Sequence, residues 1–561
     1  MDFYQEIIAE LQHKNFTERE WTKRKRDLAL QHHLATIPTN IEIMLHTPVE
    51  LIDNIKSKLI TKPVRTISGV SPVAIMTAPD RCPHGKCTFC PGGINSPWGD
   101  VPQSYTGHEP ATMRGRRNFY DSYLQVFNRL EQYVLLGHNF DKIEIIVMGG
   151  TFPATKKEYQ TEFITGTFKA MNDFSDLFFD HDGNFDYRRF KDFFELPGDI
   201  NDTARTASIQ QKLLTLKEQT KTTVEEEQIR NETAHIRCVA LCIETKPDWG
   251  FVEHGNEMLQ QGCTRVELGI QSVYDDVLKE TNRGHTVADS ITSIQVLRDL
   301  GFKINFHYMP GMPMTDRERD LQGMKELFDN PAYKPDMIKL YPCMVAPGTA
   351  LYQQYKKGVF TPITTEEATY RIIKFKEFCP EYCRIQRVQR DVPTKYWEAG
   401  VDRTNLRQHI VEKNVVHCRC IRCREPKGRN VDWEKVELTV KEYEASNGTE
   451  FFIAAEDRTN DLLIGFARLR FPFQFLRPEI TLSSALLREL HVYGTATAIG
   501  NEGIIQHKGW GKKLMEKAEH IAAEKGKDTM VVISGVGVRE YYTKLGYRKE
   551  GPYMVKRLAY A

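Results

Sequence analysis

Six of the twelve cysteines fall into two tight groups. Cys82, Cys87 and Cys90 stand in RCPHGKCTFCPGG with spacing C-x4-C-x2-C, and Cys418, Cys420 and Cys423 stand in HCRCIRCRE. Thiols this close are how a chain holds a soft metal. Three thiolates leave one iron of a four-iron cluster without a protein ligand, and that iron can bind the amino and carboxylate groups of a small molecule. Taken alone, the first triplet fits that chemistry or a zinc knuckle. The second is compact enough for one tetrahedral zinc, with His417, another cysteine such as Cys383, or water as the fourth ligand. Cys238, Cys242, Cys263, Cys343, Cys379 and Cys383 sit in apolar or mixed segments, where a thiol is most often a small buried hydrophobe.

A second chemistry is written near the C-terminus. Gln506-His-Lys508-Gly509-Trp510-Gly511 precedes a helical pattern from Lys512 to about Lys525. Glycines there expose backbone N–H groups and a helix start adds positive potential, which together make an anion site. Glu489-Leu490-His491-Val492-Tyr493 reads as the strand before this loop, and Met530 to Ile533 as the strand after the helix. Tyr541 and Tyr542 then stand in a short helix that ends at Leu-Gly-Tyr547.

The elements that must position the first triplet alternate. Val73 to Ala78, Lys142 to Met148, Val239 to Thr245, Arg265 to Ser272, Lys303 to Met309 and Met337 to Tyr341 read as strands. Helical patterns cover Arg116 to Leu136, Val287 to Leu300 and Asp316 to Phe328. Repeated β–α alternation predicts a parallel sheet curled as a partial or full barrel. Sites in such folds lie at the C-terminal strand ends, where Gly149-Gly150, Glu244, Gln271 and Pro310-Gly311 fall. Past about residue 430 short strands dominate: Val436 to Val440, Phe451 to Ala455, Leu462 to Arg470 and Ala485 to Tyr493. The expected fold class is α/β, a partial (β/α) barrel followed by a smaller mixed α/β domain.

The first triplet with a Gly-Gly segment ending the next strand resembles radical S-adenosylmethionine enzymes. The C-terminal loop and its flanks resemble GNAT acetyltransferases. Joined in one chain, with RCPHGKCTFCPGG, QSYTGHEPATMR, DKIEIIVMGGTFP, RVELGIQSVYDDVL, KINFHYMPGMP, RELHVYGTA, QHKGWGKKLM and ISGVGVREYYTKLGY, they resemble the family of the catalytic subunit of Elongator. The short C-x4-C gap is similar to its archaeal and prokaryotic members. The resemblance implies an acyltransferase-class enzyme that forms 5-carboxymethyluridine at the tRNA wobble position from acetyl-CoA by radical chemistry. It implies a [4Fe-4S] cluster on Cys82, Cys87 and Cys90, and S-adenosylmethionine seated by Gly149, Gly150, Glu244 and Gln271. Acetyl-CoA would be held by Leu490, His491, Val492, Tyr493, Gln506, Lys508, Gly509, Trp510, Gly511, Lys512 and Tyr542. Lys142, His491, Tyr541 and Tyr542 are its catalytic candidates, and zinc on Cys418, Cys420 and Cys423 is expected. The implied partners are a tRNA anticodon stem-loop and an electron donor, without the other Elongator subunits; oligomeric state is left open. The rival readings are a protein lysine acetyltransferase with Glu489 as base, and a tRNA-binding scaffold without turnover.

The chain has 561 residues, with 76 Lys+Arg against 75 Asp+Glu. Composition is that of an ordinary globular chain of two to four domains. No apolar run is long enough to span a membrane, and the charged N-terminus has no secretory pattern, so a cytoplasmic protein is expected. Near-neutrality hides local asymmetry. Residues 384–429 hold twelve Lys/Arg and five Asp/Glu, whereas 171–235 hold eight and fourteen. A basic stretch attracts phosphates, and Arg384, Arg387, Arg390, Arg403 and Arg407 could form the stripe. The expected domains are 1–70, a tRNA-contacting segment; 71–380, the radical domain, with 171–235 an acidic helical or flexible insertion; 381–430, a basic zinc-binding connector; and 431–561, the acetyltransferase-like domain.

Overall fold

The computed structural model describes residues 1–61, 69–198, 202–413, 416–493 and 509–558. Gln506 and Lys508 lie outside the described residues. Four helices open the chain: Phe3–His13, Glu18–Gln31, Asn40–His46 and Val49–Leu59. Asp2, Thr17 and Thr39 start the first three with reciprocal capping boxes, which satisfy otherwise orphaned N–H donors. Phe3, Ile7, Leu11, Trp21, Leu28, Ile43 and Ile55 form a core of their own between these helices.

Seven strands then build one sheet. They are β1 (Ser71–Met76), β4 (Lys142–Met148), β5 (Arg237–Thr245), β6 (Arg265–Gln271), β7 (Lys303–Tyr308), β8 (Met337–Leu340) and β9 (Arg384–Arg387), in that order and all parallel. A small hairpin, β2 (Gly93–Ser96) and β3 (Gly99–Val101), follows the cysteine loop. The edges β1 and β9 do not pair, so the barrel stays open along that seam. The strands carry a two-residue period. In β4, Ile143, Ile145 and Val147 join the core under the helices, while Glu144, Ile146 and Met148 line the lumen. In β6, Val266, Leu268 and Ile270 face the helices, and Glu267, Gly269 and Gln271 face inward. The inner face is therefore polar.

Two expectations need correction. The helical pattern from Arg116 to Leu136 is two helices, Pro110–Arg117 and Ser122–Leu135. Phe119 and Tyr120 have φ of 53° and 57°, and Asp121 caps the second helix through Leu124 N–H at 2.9 Å. The parallel sheet also runs past residue 380: Arg384 and Arg387, expected in a basic connector, belong to β9. Among the described residues of 171–235, the end of Lys157–Phe178 and Tyr187–Phe193, Thr203–Glu218 and Val224–Thr233 are helices.

The C-terminal sheet holds β10 (Val436–Ala445), β11 (Gly448–Asp457), β12 (Leu462–Phe471), β13 (Ser484–Val492), β14 (Thr529–Val532), β15 (Arg548–Glu550) and β16 (Tyr553–Arg557), in order β10-β11-β12-β13-β14-β16-β15. One face packs the helix Trp510–Glu524 through Leu514, Met515, Ala518 and Ile521. The other meets the N-terminal strand ends of the barrel across a fully buried ionic network. Arg488 donates to both oxygens of Asp336 at 2.8 Å and to Glu450 at 2.8 Å. Arg470 pairs with Asp299 at 2.6 Å and Glu450 at 3.1 Å. Glu489 takes Arg468 at 2.8 Å and also Lys303.

Candidate functional site

The cysteine triplet follows β1, and its three thiols line a cavity of about 750 Å³ that fills the barrel. Each sulfur has a polar neighbour. Cys82 Sγ lies 3.5 Å from Thr151 Oγ1, and Cys87 Sγ lies 3.3 Å from His84 Nε2 and 3.4 Å from Arg283 Nη1. Cys90 Sγ accepts from Ser104 N–H at 3.1 Å. Burial pushes the Cys90 thiol up to about 12, with Cys87 adding to it, and raises Cys82 as well. Thiols so placed become ligands by exchanging protons for metal. Arg283 Nε is buried without a hydrogen-bond partner, which suits a cavity meant for a charged occupant. The donor set fits an iron–sulfur cluster.

Gly149 and Gly150 end β4 at φ of +124° and +78°, a region that favours glycine. A Cβ on Gly150 would stand 3.9 Å from Cys82 Sγ, and one on Gly149 would strike Thr77 Oγ1 at 2.2 Å. The bare backbone therefore lies against the cluster loop, as the seat of a methionine moiety requires. Glu244 points into the same cavity, where its Oε2 accepts from Tyr105 O–H at 2.8 Å and its Oε1 lies 3.5 Å from Lys339 Nζ. Gln271, at φ 62°, keeps a buried Oε1 with no partner.

Sequence reasoning missed a chain of lumen side chains. Lys339 bridges Glu244 and the fully buried Glu267, His307 Nε2 lies 2.7 Å from Glu267 Oε2, and Asn305 donates to Glu267 Oε1 at 3.0 Å. Their signal was the two-residue period, which puts Lys339, Glu267 and His307 inward. Burial works to raise the Glu267 carboxyl, but Lys339, His307 and Arg265 outweigh it and hold it well below the usual range. Glu244, Glu267 and His307 have ligand atoms within 4.8 Å of one another, yet the Lys339 ammonium already supplies the cation they would share. Lys142 is not brought to this end. It opens β4, whereas Gly149 follows the strand's other end, roughly 20 Å away at the usual rise per residue.

The acetyl-CoA candidates gather where the second sheet splits. β13 and β14 run parallel and, among the described residues, pair only from Ser484 to Leu487. Beside β13, Gly509 takes φ 73° to start the helix Trp510–Glu524. Leu490 and Val492 pack toward that helix. The ring of half-buried His491 lies 4.4 Å, centre to centre, from that of Tyr493, and its Nε2 has no partner among the described residues. Burial lowers its imidazole to about 4, so it is neutral at physiological pH. A Cβ on Gly511 would stand 3.0 Å from Tyr541 Oη, which sets that hydroxyl beside the start of the helix Trp510–Glu524. Tyr542 is buried among Leu514, Met515 and Tyr547. Trp510 is also core, packed with Ala455, Leu462 and Ile464, and the Lys512 ammonium lies 3.7 Å from Glu516. Tyr542 and Trp510 thus place their side chains in two separate apolar cores. Tyr541→Phe is expected to weaken acetyl-CoA binding about tenfold, the worth of one hydrogen bond to a charged group. Tyr542→Phe should leave it unchanged; isothermal titration of acetyl-CoA distinguishes the two.

Glu489 is no general base. Burial works to raise its carboxyl, but Lys303 and Arg468 dominate and hold it at about 2, where proton affinity is too low for that work. The thiols of Cys418, Cys420 and Cys423 lie within 4.8 Å of one another, close enough for one tetrahedral ion. His417 lies 3.2 Å from Asp461, and Cys383 is a free buried thiol beside Cys379.

The two halves share a wall. Arg384 lines the barrel cavity, and its guanidinium donates to Tyr493 Oη at 3.0 Å. Arg387, Arg390, Arg407 and Arg422 line the same open seam, with Arg114 and Arg129 across it. Burial and Arg422 pull Arg407 down to about 10, and burial and Arg129 do the same to Arg114. Arg384 and Arg387 differ: each pairs with a carboxylate, Glu425 and Asp391, and is held above the usual range. Arg403 is exposed outside it.

Family models match along the chain: ELP3 N-terminal domain at 1–67, Radical SAM superfamily at 198–322, Radical_SAM C-terminal domain at 335–416 and Acetyltransferase (GNAT) family at 419–547. The tRNA uridine(34) acetyltransferase of Methanocaldococcus jannaschii is 46% identical over 536 residues, 93% of this chain and 90% of that protein. Elongator complex protein 3 of Homo sapiens is 37% identical over 97% of this chain and 94% of its own. The chain belongs to the Elongator complex protein 3 family. The archaeal Methanocaldococcus infernus member, solved without its first 46 residues, superposes with a TM-score of 0.71 at 40% identity, over 88% of this chain and all of that one. Membership accounts for both cofactor chemistries: the radical half implies the cluster and S-adenosylmethionine, and the GNAT half implies acetyl-CoA. Among the described residues, no helix is long and apolar enough to cross a membrane.

Proposed function

We propose that the protein forms 5-carboxymethyluridine at the wobble position of tRNA anticodons, using S-adenosylmethionine and acetyl-CoA. The observation that carries this is the shared wall at Arg384, which joins the radical cavity to the strand of the acetyl-CoA site. When bound, the reduced cluster and S-adenosylmethionine supply hydrogen abstraction from the acetyl methyl group. Cys82, Cys87 and Cys90 hold the cluster, Gly149 and Gly150 receive the methionine amine, and Gln271 and Glu244 receive ribose hydroxyls. Lys339 keeps the two lumen carboxylates neutralised and fixed, and His491 remains an uncharged hydrogen-bonding group beside the acyl arm. The arginine seam orients anticodon phosphates, and the uridine must leave its stack to enter. Cys418, Cys420 and Cys423 hold a structural zinc. An external reductant serves the cluster, the helices of residues 1–61 add tRNA contacts, and the reaction runs in the cytoplasm without other Elongator subunits. Nothing favours a lysine acetyltransferase, whose base Glu489 is locked in ion pairs. Anaerobically reconstituted protein given tRNA and both cosubstrates should yield 5-carboxymethyluridine on nucleoside analysis; its absence defeats the reading.

A further inference from the structure

Beside the cysteine loop, on the rim of the cavity, three half-buried rings meet. His108 and Tyr396 stack with centroids 3.8 Å apart and planes 5° from parallel. Trp98 stands edge-on to both, at 5.6 Å and 6.0 Å. The rings come from distant segments. Trp98 lies in the turn between β2 and β3, His108 lies just ahead of the helix Pro110–Arg117, and Tyr396 ends the short turn Thr394–Tyr396. None of them joins a described apolar core, and the Trp98 Nε1–H has no partner. Packing alone does not explain why these rings assemble here.

The surroundings are cationic. Lys395 Nζ sits 5.1 Å from the Tyr396 ring centre, and Arg390 lies between Tyr105 at 5.7 Å and Trp397 at 5.8 Å. Arg116 reaches the backbone at Gly107. The group adjoins the cavity directly, since Arg390 donates to Ser104 O and both residues line the lumen, as does Glu109 next to His108. Stacked rings amid cations, held out of any core, match how single-stranded nucleic acid is bound: every base offers a π-face, and the backbone needs positive charge. A base drawn into the cavity also leaves its neighbours unstacked. We propose that Trp98, His108 and Tyr396 form a stacking platform for the nucleotide adjoining the uridine that enters the cavity. This rests on the tRNA reading above and adds which part of the anticodon loop is gripped and by what.

The test uses full-length, cluster-loaded protein and a synthetic anticodon stem-loop with 2-aminopurine next to the target uridine. Wild-type protein should quench the probe on binding. Tyr396→Ala and Trp98→Ala should each lose most of that quenching and bind about tenfold more weakly. Tyr396→Phe should behave as wild type, because stacking needs the ring and not the hydroxyl. S-adenosylmethionine binding by all variants, read by equilibrium dialysis, should be unchanged, which excludes misfolding. Unaltered quenching and affinity in both alanine variants would overturn the platform and leave the rings to a protein partner, with the tRNA reading intact. Failure of wild-type protein to bind the stem-loop would instead overturn the tRNA reading itself.

Discussion

Cys87→Ser is expected to abolish both S-adenosylmethionine cleavage and tRNA modification while leaving acetyl-CoA binding unchanged. The thiol is buried, faces His84 and Arg283, and shares its cavity with Cys82 and Cys90. A serine hydroxyl is a poor iron ligand, and with two thiolates left the cluster is not retained. The acetyl-CoA elements sit on another sheet with their own core, so the loss should be selective. Iron and sulfide should fall to background, 5′-deoxyadenosine should vanish, and titration of acetyl-CoA should match wild type. Persistent uridine modification in this variant would contradict the radical assignment. Acetyl transfer to a protein lysine surviving in it would favour the rival reading instead.

The second large effect is on stability. Asp336 is fully buried and accepts from both arms of Arg488, from the Ile304 N–H at 2.8 Å, and lies 3.5 Å from Arg468. Burial opposes its ionisation, but Arg488 and Arg468 hold the carboxyl far below the usual range. Asp336→Ala removes an acceptor from two buried guanidiniums, which keep Glu450 and Glu489 as carboxylate partners, and removing one partner of a buried pair costs about 3–5 kcal/mol. The loss should appear as a lower urea midpoint with both domains unfolding earlier, since the network joins β7 and β8 to β11, β12 and β13. The same network sets an acid limit. Asp336 and Glu489 have lowered folded-state values, so their stabilisation is present above the unfolded carboxylate range, near pH ~4. It is lost as pH falls toward about 2, the value for Glu489. Urea midpoints should therefore fall steeply below pH ~4. A flat profile there would show that the network contributes nothing.

Much of this architecture is legible in the chain because a parallel strand buried under helices must be apolar on that side. Lys142 to Met148 and Arg265 to Gln271 announce themselves through Ile143, Ile145, Val147, Val266, Leu268 and Ile270. β9 does not, because Arg-Ile-Gln-Arg shows one apolar residue and its arginines face a wet seam. Spacing in the sequence marks the two cysteine triplets, and the structure gathers each set of thiols in one place. Chemistry was not legible where a residue's role depends on its height along a strand. Lys142 and Lys339 both sit beside isoleucine in strands, yet one opens β4 and the other stands inside the lumen against Glu267. Tyr541 and Tyr542 are adjacent, and only the helix orientation decides which reaches the loop. The aromatic rim was invisible because Trp98, His108 and Tyr396 are brought together from segments up to 298 positions apart.

The central claim is that one chain feeds the acetyl group through the radical cavity onto a tRNA base. It is tested most directly by supplying acetyl-CoA labelled with carbon-13 in the methyl group to the reduced, cluster-loaded protein and a tRNA with a wobble uridine. Mass spectrometry of the digested tRNA should place the labelled carbon in a 5-carboxymethyl group on that uridine, dependent on S-adenosylmethionine. Label recovered in protein lysines or free acetate, with the uridine unaltered, would contradict the account.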